Sequence, residues 1–141
     1  MFGGARRVVD PTLGELTRRG RSWRGVGTTD DGVAVPVVIP GSRSSPDGGA
    51  VTHVSALLSD YTRIRPVMRD ALADHRPDSL SAEQVARLVV PDPVFARVLS
   101  VGGQEMVELG YEVEWDEEHT LGARFNNGEL VELNGSVLPP P

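Results

Sequence analysis

The sequence predicts an α+β fold: a mainly antiparallel sheet of about six to seven strands, with one long kinked helix and one short helix packed on one face. Three observations predict it. Apolar and polar residues alternate in the first and last thirds of the chain, the period of a half-buried strand. Between them, apolar residues recur at three- and four-residue steps, the period of a helix with one buried face. Strands grouped before and after the helices, rather than alternating with them, favour antiparallel pairing. With 141 residues the chain suits one core. We expect a single domain over residues 1–138 and a frayed proline tail at residues 139–141.

The first third supplies strands. Leu13 and Leu16 precede Arg18, Arg19, Gly20 and Arg21, and Ser22, Trp23, Arg24, Gly25 and Val26 follow. This order predicts a hairpin turning near Gly20. Thr29, Asp30, Asp31 and Gly32 form a turn signal. Beyond it Val33, Val35, Val37 and Ile39 alternate along one strand. Pro36 sits on the opposite face and lacks an N–H, which points to an edge strand or a bulge. Residues 40–50, rich in Pro, Gly and Ser, read as a loop.

The middle third is helical. Val54, Leu57, Leu58, Tyr61, Ile64, Met68, Ala71 and Leu72 trace one apolar stripe. Pro66 cannot donate to the carbonyl of Thr62, so it should kink or split this helix. Ser81 and Gln84 have the spacing of a capping box, with Ser81 as N-cap. Val85, Leu88 and Val89 give the short helix its stripe, and Pro91 and Pro93 end it.

The last third predicts two hairpins. In the run from Glu105 to Asp116, Val107, Leu109, Tyr111, Val113 and Trp115 share one face. Glu108, Glu112, Glu114 and Asp116 share the other. Gly102 and Gly103 form a two-residue loop to the preceding strand. That register sets Val98 opposite Val107, Ala96 opposite Leu109, Val94 opposite Tyr111, and Arg97 opposite Glu108 on the outer face. A second hairpin turns at Asn126, Asn127 and Gly128. A three-residue loop there opposes Phe125 to Glu129 and keeps Leu121, Ala123, Phe125, Val131 and Leu133 on one side.

All 14 basic residues are arginine, and there is no cysteine. That excludes a catalytic lysine, a P-loop lysine, a disulfide and a thiolate site. Abundant Arg, Val, Ala, Gly and Pro with almost no Ile or Asn reads as the coding bias of a GC-rich genome. No apolar run approaches the ~18 residues of a membrane helix. The opening residues have two arginines but no apolar stretch after them, so an export signal is not expected and the cytoplasm is the expected location. The net charge of −6 divides unevenly. Residues 1–76 hold 11 Arg against 8 acids, or +3; residues 77–141 hold 3 Arg against 12 acids, or −9. Arg18, Arg19, Arg21 and Arg24 read as a solvent-facing hairpin tip paired with acids elsewhere, so no nucleic acid is expected as a partner.

Trp115, Asp116, Glu117, Glu118 and His119 form the densest polar cluster. Neighbours in a strand face opposite ways, so these side chains should not converge on one metal ion. No nucleotide-binding motif occurs, and no cofactor is expected. The string WDEEHTLGARF, followed by NNGELVELNGSV, resembles a bacterial family of uncharacterised domains with a C-terminal WDEEHxLG motif. The stretch from Asp10 to Leu16, with Trp23 and Gly25, resembles the opening of related domains. Thr120 stands where that family has glycine. The resemblance implies no established activity and no catalytic residue. Some relatives look like neighbours of toxin–immunity loci, which implies protein binding.

The sequence therefore favours a non-catalytic, immunity-like binding domain for a basic protein. Its expected surface is Glu108, Glu112, Glu114, Asp116, Glu117, Glu118 and His119. The alternative is a small hydrolase using His119 with Glu117 or Glu118 at the turn. No membrane partner is expected, and the oligomeric state is left open.

Overall fold

Left-handed backbone at two loops folds the end of the chain into a tight meander. Gly102 and Gly103 have φ of 58° and 81°, and Asn127 and Gly128 have 51° and 80°. Two successive positive φ angles match the twist of the strands they join, and glycine or asparagine adopts them at least cost. The computed structural model of the protein describes residues 7–87 and 90–141. Its elements are β1 (Arg7–Asp10), β2 (Gly14–Arg19), β3 (Ser22–Thr28), β4 (Ala34–Pro40), α1 (Gly48–Ser59), α2 (Tyr61–Asp74), α3 (Ala82–Ala86), β5 (Phe95–Val101), β6 (Gln104–Val113), β7 (Asp116–Asn126) and β8 (Glu129–Val137).

The eight strands form one sheet in chain order. Only β4 and β5 run parallel, paired at Val37 with Ala96 and Val38 with Arg97. A parallel pair needs a long crossover, and the three helices supply it. The fold is α+β with a mostly antiparallel sheet, of eight strands rather than six or seven. β1 is the addition. It is four residues long, with its two valines adjacent rather than alternating, and Asp10 organises its turn into β2 by accepting from the N–H groups of Thr12 and Leu13 at 2.9 Å each.

One face of the sheet carries the core. Leu13, Leu16, Trp23, Val37, Ile39, Leu109, Tyr111, Leu121 and Phe125 meet Val54, Leu58, Tyr61, Ile64 and Met68 of the helices. Trp23 satisfies its indole N–H on the carbonyl of Ser42 at 2.9 Å. At Gly27 a Cβ would lie 2.6 Å from Leu58 Cδ1, so glycine here lets α1 close on the sheet. The Tyr61 and Tyr111 hydroxyls meet at 2.5 Å inside this core. Burial raises both phenols above their ordinary pKa, Tyr111 well above it.

Several expectations need correction. α1 starts inside the predicted loop, because Asp47 accepts from the Ala50 N–H at 2.8 Å and caps it. The long helix breaks at Asp60, whose φ and ψ of −115° and 19° leave the helical region, while Pro66 lies inside α2. Ser81 and Gln84 do form the capping box. Leu88 and Val89 lie outside the described residues, and α3 packs against α2. Pro36 is not on an edge: β4 lies between β3 and β5, and the edges are β1 and β8. The parallel ladder begins just after Pro36. Among the described residues, Arg18, Arg19, Arg21 and Arg24 make no ion pair with an Asp or Glu; Arg18 donates to the Gly20 carbonyl and Arg24 to the main-chain oxygen of Pro141.

The β5–β6 register is as read, with Val98 opposite Val107, Ala96 opposite Leu109 and Arg97 opposite Glu108. Val94 lies one residue before the strand and donates to the Gly110 carbonyl at 2.8 Å. The β7–β8 loop has two residues, not three, since Asn126 pairs with Glu129. A bulge then restores the faces. Arg124 pairs with Glu132 and Phe125 with Leu130, so Val131 is the extra residue and stands 53% exposed. No helix of the described residues is long and apolar enough to cross a membrane.

Candidate functional site

The acidic cluster is built by an irregular hairpin. β6 ends at Val113, and Glu114 and Trp115 make the turn. Trp115 is therefore a turn residue, packed partly buried against the core. Tyr111 pairs with Leu121 and Val113 with Asp116. Four residues of β7, at positions 117–120, thus face the single residue Glu112. This bulge breaks strict alternation and gathers carboxylates that a regular strand would separate.

Glu112, Glu114, Asp116, Glu117, Glu118, His119 and Thr120 line an open depression of about 320 Å³ with Val113. Glu112, Glu114, Glu117 and Glu118 are exposed. His119 Nδ1 lies 2.8 and 3.0 Å from the two carboxylate oxygens of Asp116. The hydrogen bond from His119 holds the Asp116 carboxyl below the usual range. The histidine thus pairs with Asp116, not with Glu117 or Glu118. The hydroxyl in the lining is that of Thr120, and among the described residues the His119 Nδ1 hydrogen bonds go to Asp116. Among the described residues, no three His, Asp or Glu side chains gather to hold a metal ion.

Glu108 does not belong to this surface. Its side chain is 0% exposed and lies between two arginines. Arg97 Nε and Nη2 donate to Glu108 Oε1 at 2.9 and 2.6 Å, and Arg124 Nε donates to Oε2 at 3.0 Å. Arg124 Nη1 also reaches Glu132 at 3.1 Å. Gly122 makes room, since a Cβ there would sit 2.9 Å from the Glu108 carboxylate. Glu108 is a structural anion on the sheet's outer face, and parity alone could not separate it from Glu112.

Two further concavities had no signal in the sequence. One, of about 350 Å³, lies between the helices and the hairpin ends. His53 Nδ1 meets Glu105 Oε1 there at 2.9 Å, and Arg63 Nη2 donates to the Gly128 carbonyl at 2.7 Å. Its partners are 52 and 65 residues apart in the chain, beyond any local pattern. The other, of about 290 Å³, opens on the outer face and is lined by Arg24, Pro36, Val38, Val94, Phe95, Glu112, Pro139 and Pro140, among others. Residues 139 and 140 thus form one wall of a groove on the sheet.

A family model described as a domain of unknown function (DUF6985) matches residues 49–137, from the first turn of α1 to the end of β8. No curated protein and no solved structure matches the chain.

Proposed function

Since this chain belongs to the DUF6985 family of domains of unknown function, we propose its role from its own surface: a non-catalytic domain that binds a basic protein through the β6–β7 hairpin. One observation carries this. The bulge at the start of β7 sets Glu117 and Glu118 beside Glu112, Glu114 and Asp116 around one depression, with His119 as the only basic group in its lining. Like charges held together repel one another, and an approaching cation relieves that repulsion. The field would also steer a basic partner over about one Debye length, ~8 Å at physiological salt.

The finer form of this reading is immunity-like and cytoplasmic, with a basic nuclease-type toxin as partner. A catalytic reading gains nothing from the geometry, because His119 is half exposed at 47% beside an open depression. The test is direct binding of a fluorescent nona-arginine peptide. Wild type should bind with an affinity that falls steeply with salt. A Glu112→Gln, Glu114→Gln, Glu117→Gln, Glu118→Gln variant should bind about tenfold more weakly or worse and lose most of that salt dependence. A control removing the exposed acids Asp70 and Asp74 of α2 should bind as wild type does. Equal affinity in all three proteins would refute the acidic-hairpin reading.

A further inference from the structure

The outer face of the sheet has no helix on it at β3, β4 and the start of β5, and Val26, Pro36, Val38 and Phe95 give it apolar side chains there. Arg24 pairs with Val38 and Val26 with Pro36 across β3 and β4, so these four share one face. Phe95 lies over Gly110 on the same face: a Cβ at Gly110 would fall within 2.1 to 2.5 Å of the Phe95 ring. Val26 is 56% exposed and Val94 38%. Val26 and Val94 leave apolar surface open to solvent beside the Phe95 ring, which is itself only 4% exposed, a patch of the kind that marks an interaction surface.

The chain shows what such a patch accepts. Pro139 and Pro140 line the groove with Pro36, Val38, Val94 and Phe95, and Arg24 Nη1 donates to the main-chain oxygen of Pro141, the last residue of the sequence. A run of prolines has no N–H to satisfy and leaves its carbonyls available. An apolar channel with one guanidinium donor suits that backbone. Glu112 lines this groove and also the acidic depression next to it. The two surfaces are therefore continuous, apolar at one end and anionic at the other.

We infer that the groove docks an extended, proline-bearing segment of the partner, whose basic flank reaches Glu112 and the acidic hairpin. This rests on the acidic-hairpin reading for the basic flank alone. The prolines are recognised by Val38, Val94, Phe95 and Arg24. Residues 139–141 hold the same groove from within the chain, so they compete with an incoming segment.

The test uses the full chain and two labelled peptides, Pro-Pro-Pro-Arg-Arg-Arg and Ser-Ser-Ser-Arg-Arg-Arg, read by fluorescence anisotropy and by amide NMR shifts. The proline peptide should bind about tenfold tighter than the serine peptide and shift the amides of Val26, Val38, Val94 and Glu112. Val38→Asp should abolish that advantage of the proline peptide over the serine peptide. Val94→Asp, at a more exposed position, should do the same if Val38→Asp disturbs folding. Replacing Pro139 and Pro140 by glycine should tighten the proline peptide alone. Equal binding of the two peptides to wild type, or an advantage that survives both aspartate variants, overturns the groove inference and leaves the acidic reading standing. Failure of the serine peptide to bind, with the proline peptide bound, overturns the acidic reading and leaves the groove.

Discussion

Replacing Glu108 by alanine should be the most damaging single change to a charged residue on the sheet. The carboxylate is wholly buried and takes three hydrogen bonds from Arg97 and Arg124. Breaking a buried pair by removing one partner typically costs ~3–5 kcal/mol, because it strands the other charge. Two features place this case toward the lower end. Both arginine side chains are 19% exposed, so water reaches them, and Arg124 keeps Glu132 as a partner. A loss of about 3 kcal/mol follows. For 141 residues the unfolding entropy is roughly 0.3 kcal/mol per kelvin, so the melting temperature should fall by about 10 °C. Urea unfolding at pH 7, followed by circular dichroism, measures the loss, with exposed Glu117→Ala as a control expected within about 0.5 kcal/mol of wild type. Replacing Glu108, Arg97 and Arg124 together by Leu, Leu and Met should recover much of the loss, because no charge is then left buried. A Glu108→Ala loss below about 1 kcal/mol, no larger than an ordinary net hydrogen bond, would refute the account of Glu108 as the anion that holds this face.

The remaining predictions concern titration. Asp116 should protonate below the ordinary aspartate range, and His119→Gln should bring it back up, as read by carboxyl NMR. Its folded-state value is depressed, so any stability from the pair is present above the unfolded-state value and is lost as pH falls through the folded one. The two tyrosines should resist ionisation, since burial raises both. Absorbance at the tyrosinate band should therefore stay low through the ordinary phenol range and rise together with unfolding. The sign follows: the folded state binds protons that the unfolded chain releases, so stability falls as pH climbs past the unfolded-state value. Tyr111→Phe leaves the Tyr61 hydroxyl buried without its partner and should cost about 1–3 kcal/mol in the same urea assay.

Where local chemistry decided the outcome, the residues told it in advance. Gly102 and Gly103 permit one tight loop, and every cross-strand pair of β5 and β6 then falls into place. Ser81 and Gln84 capped α3 by the same local logic. The errors came from effects with distant causes. The Asn127–Gly128 loop was legible as a turn, but the bulge at Val131 that reconciles a short loop with the buried faces was not. Pro66 removes one hydrogen bond inside α2, yet the chain breaks at Asp60, where distant Asp30 donates its N–H to the Leu58 carbonyl at 3.0 Å and accepts from the Thr62 N–H at 2.8 Å. At the candidate site, Glu112 and Glu108 have the same parity and opposite fates. Only Arg97 and Arg124, brought in by neighbouring strands, separate them. The His53–Glu105 contact and the groove beside Phe95 depend wholly on tertiary assembly.

The parallel seam between β4 and β5 has a kinetic consequence. On either side of it lies a four-stranded meander built from short loops, whose contacts are close in sequence and quick to form. The seam has two registered pairs, and closing it joins positions about 60 residues apart. It should therefore close late, once α1 and α2 have gathered both meanders onto one core. The span that the family model matches starts at residue 49 and takes in only the helices and the second meander. The seam is thus the place where the four strands outside that span meet the four inside it.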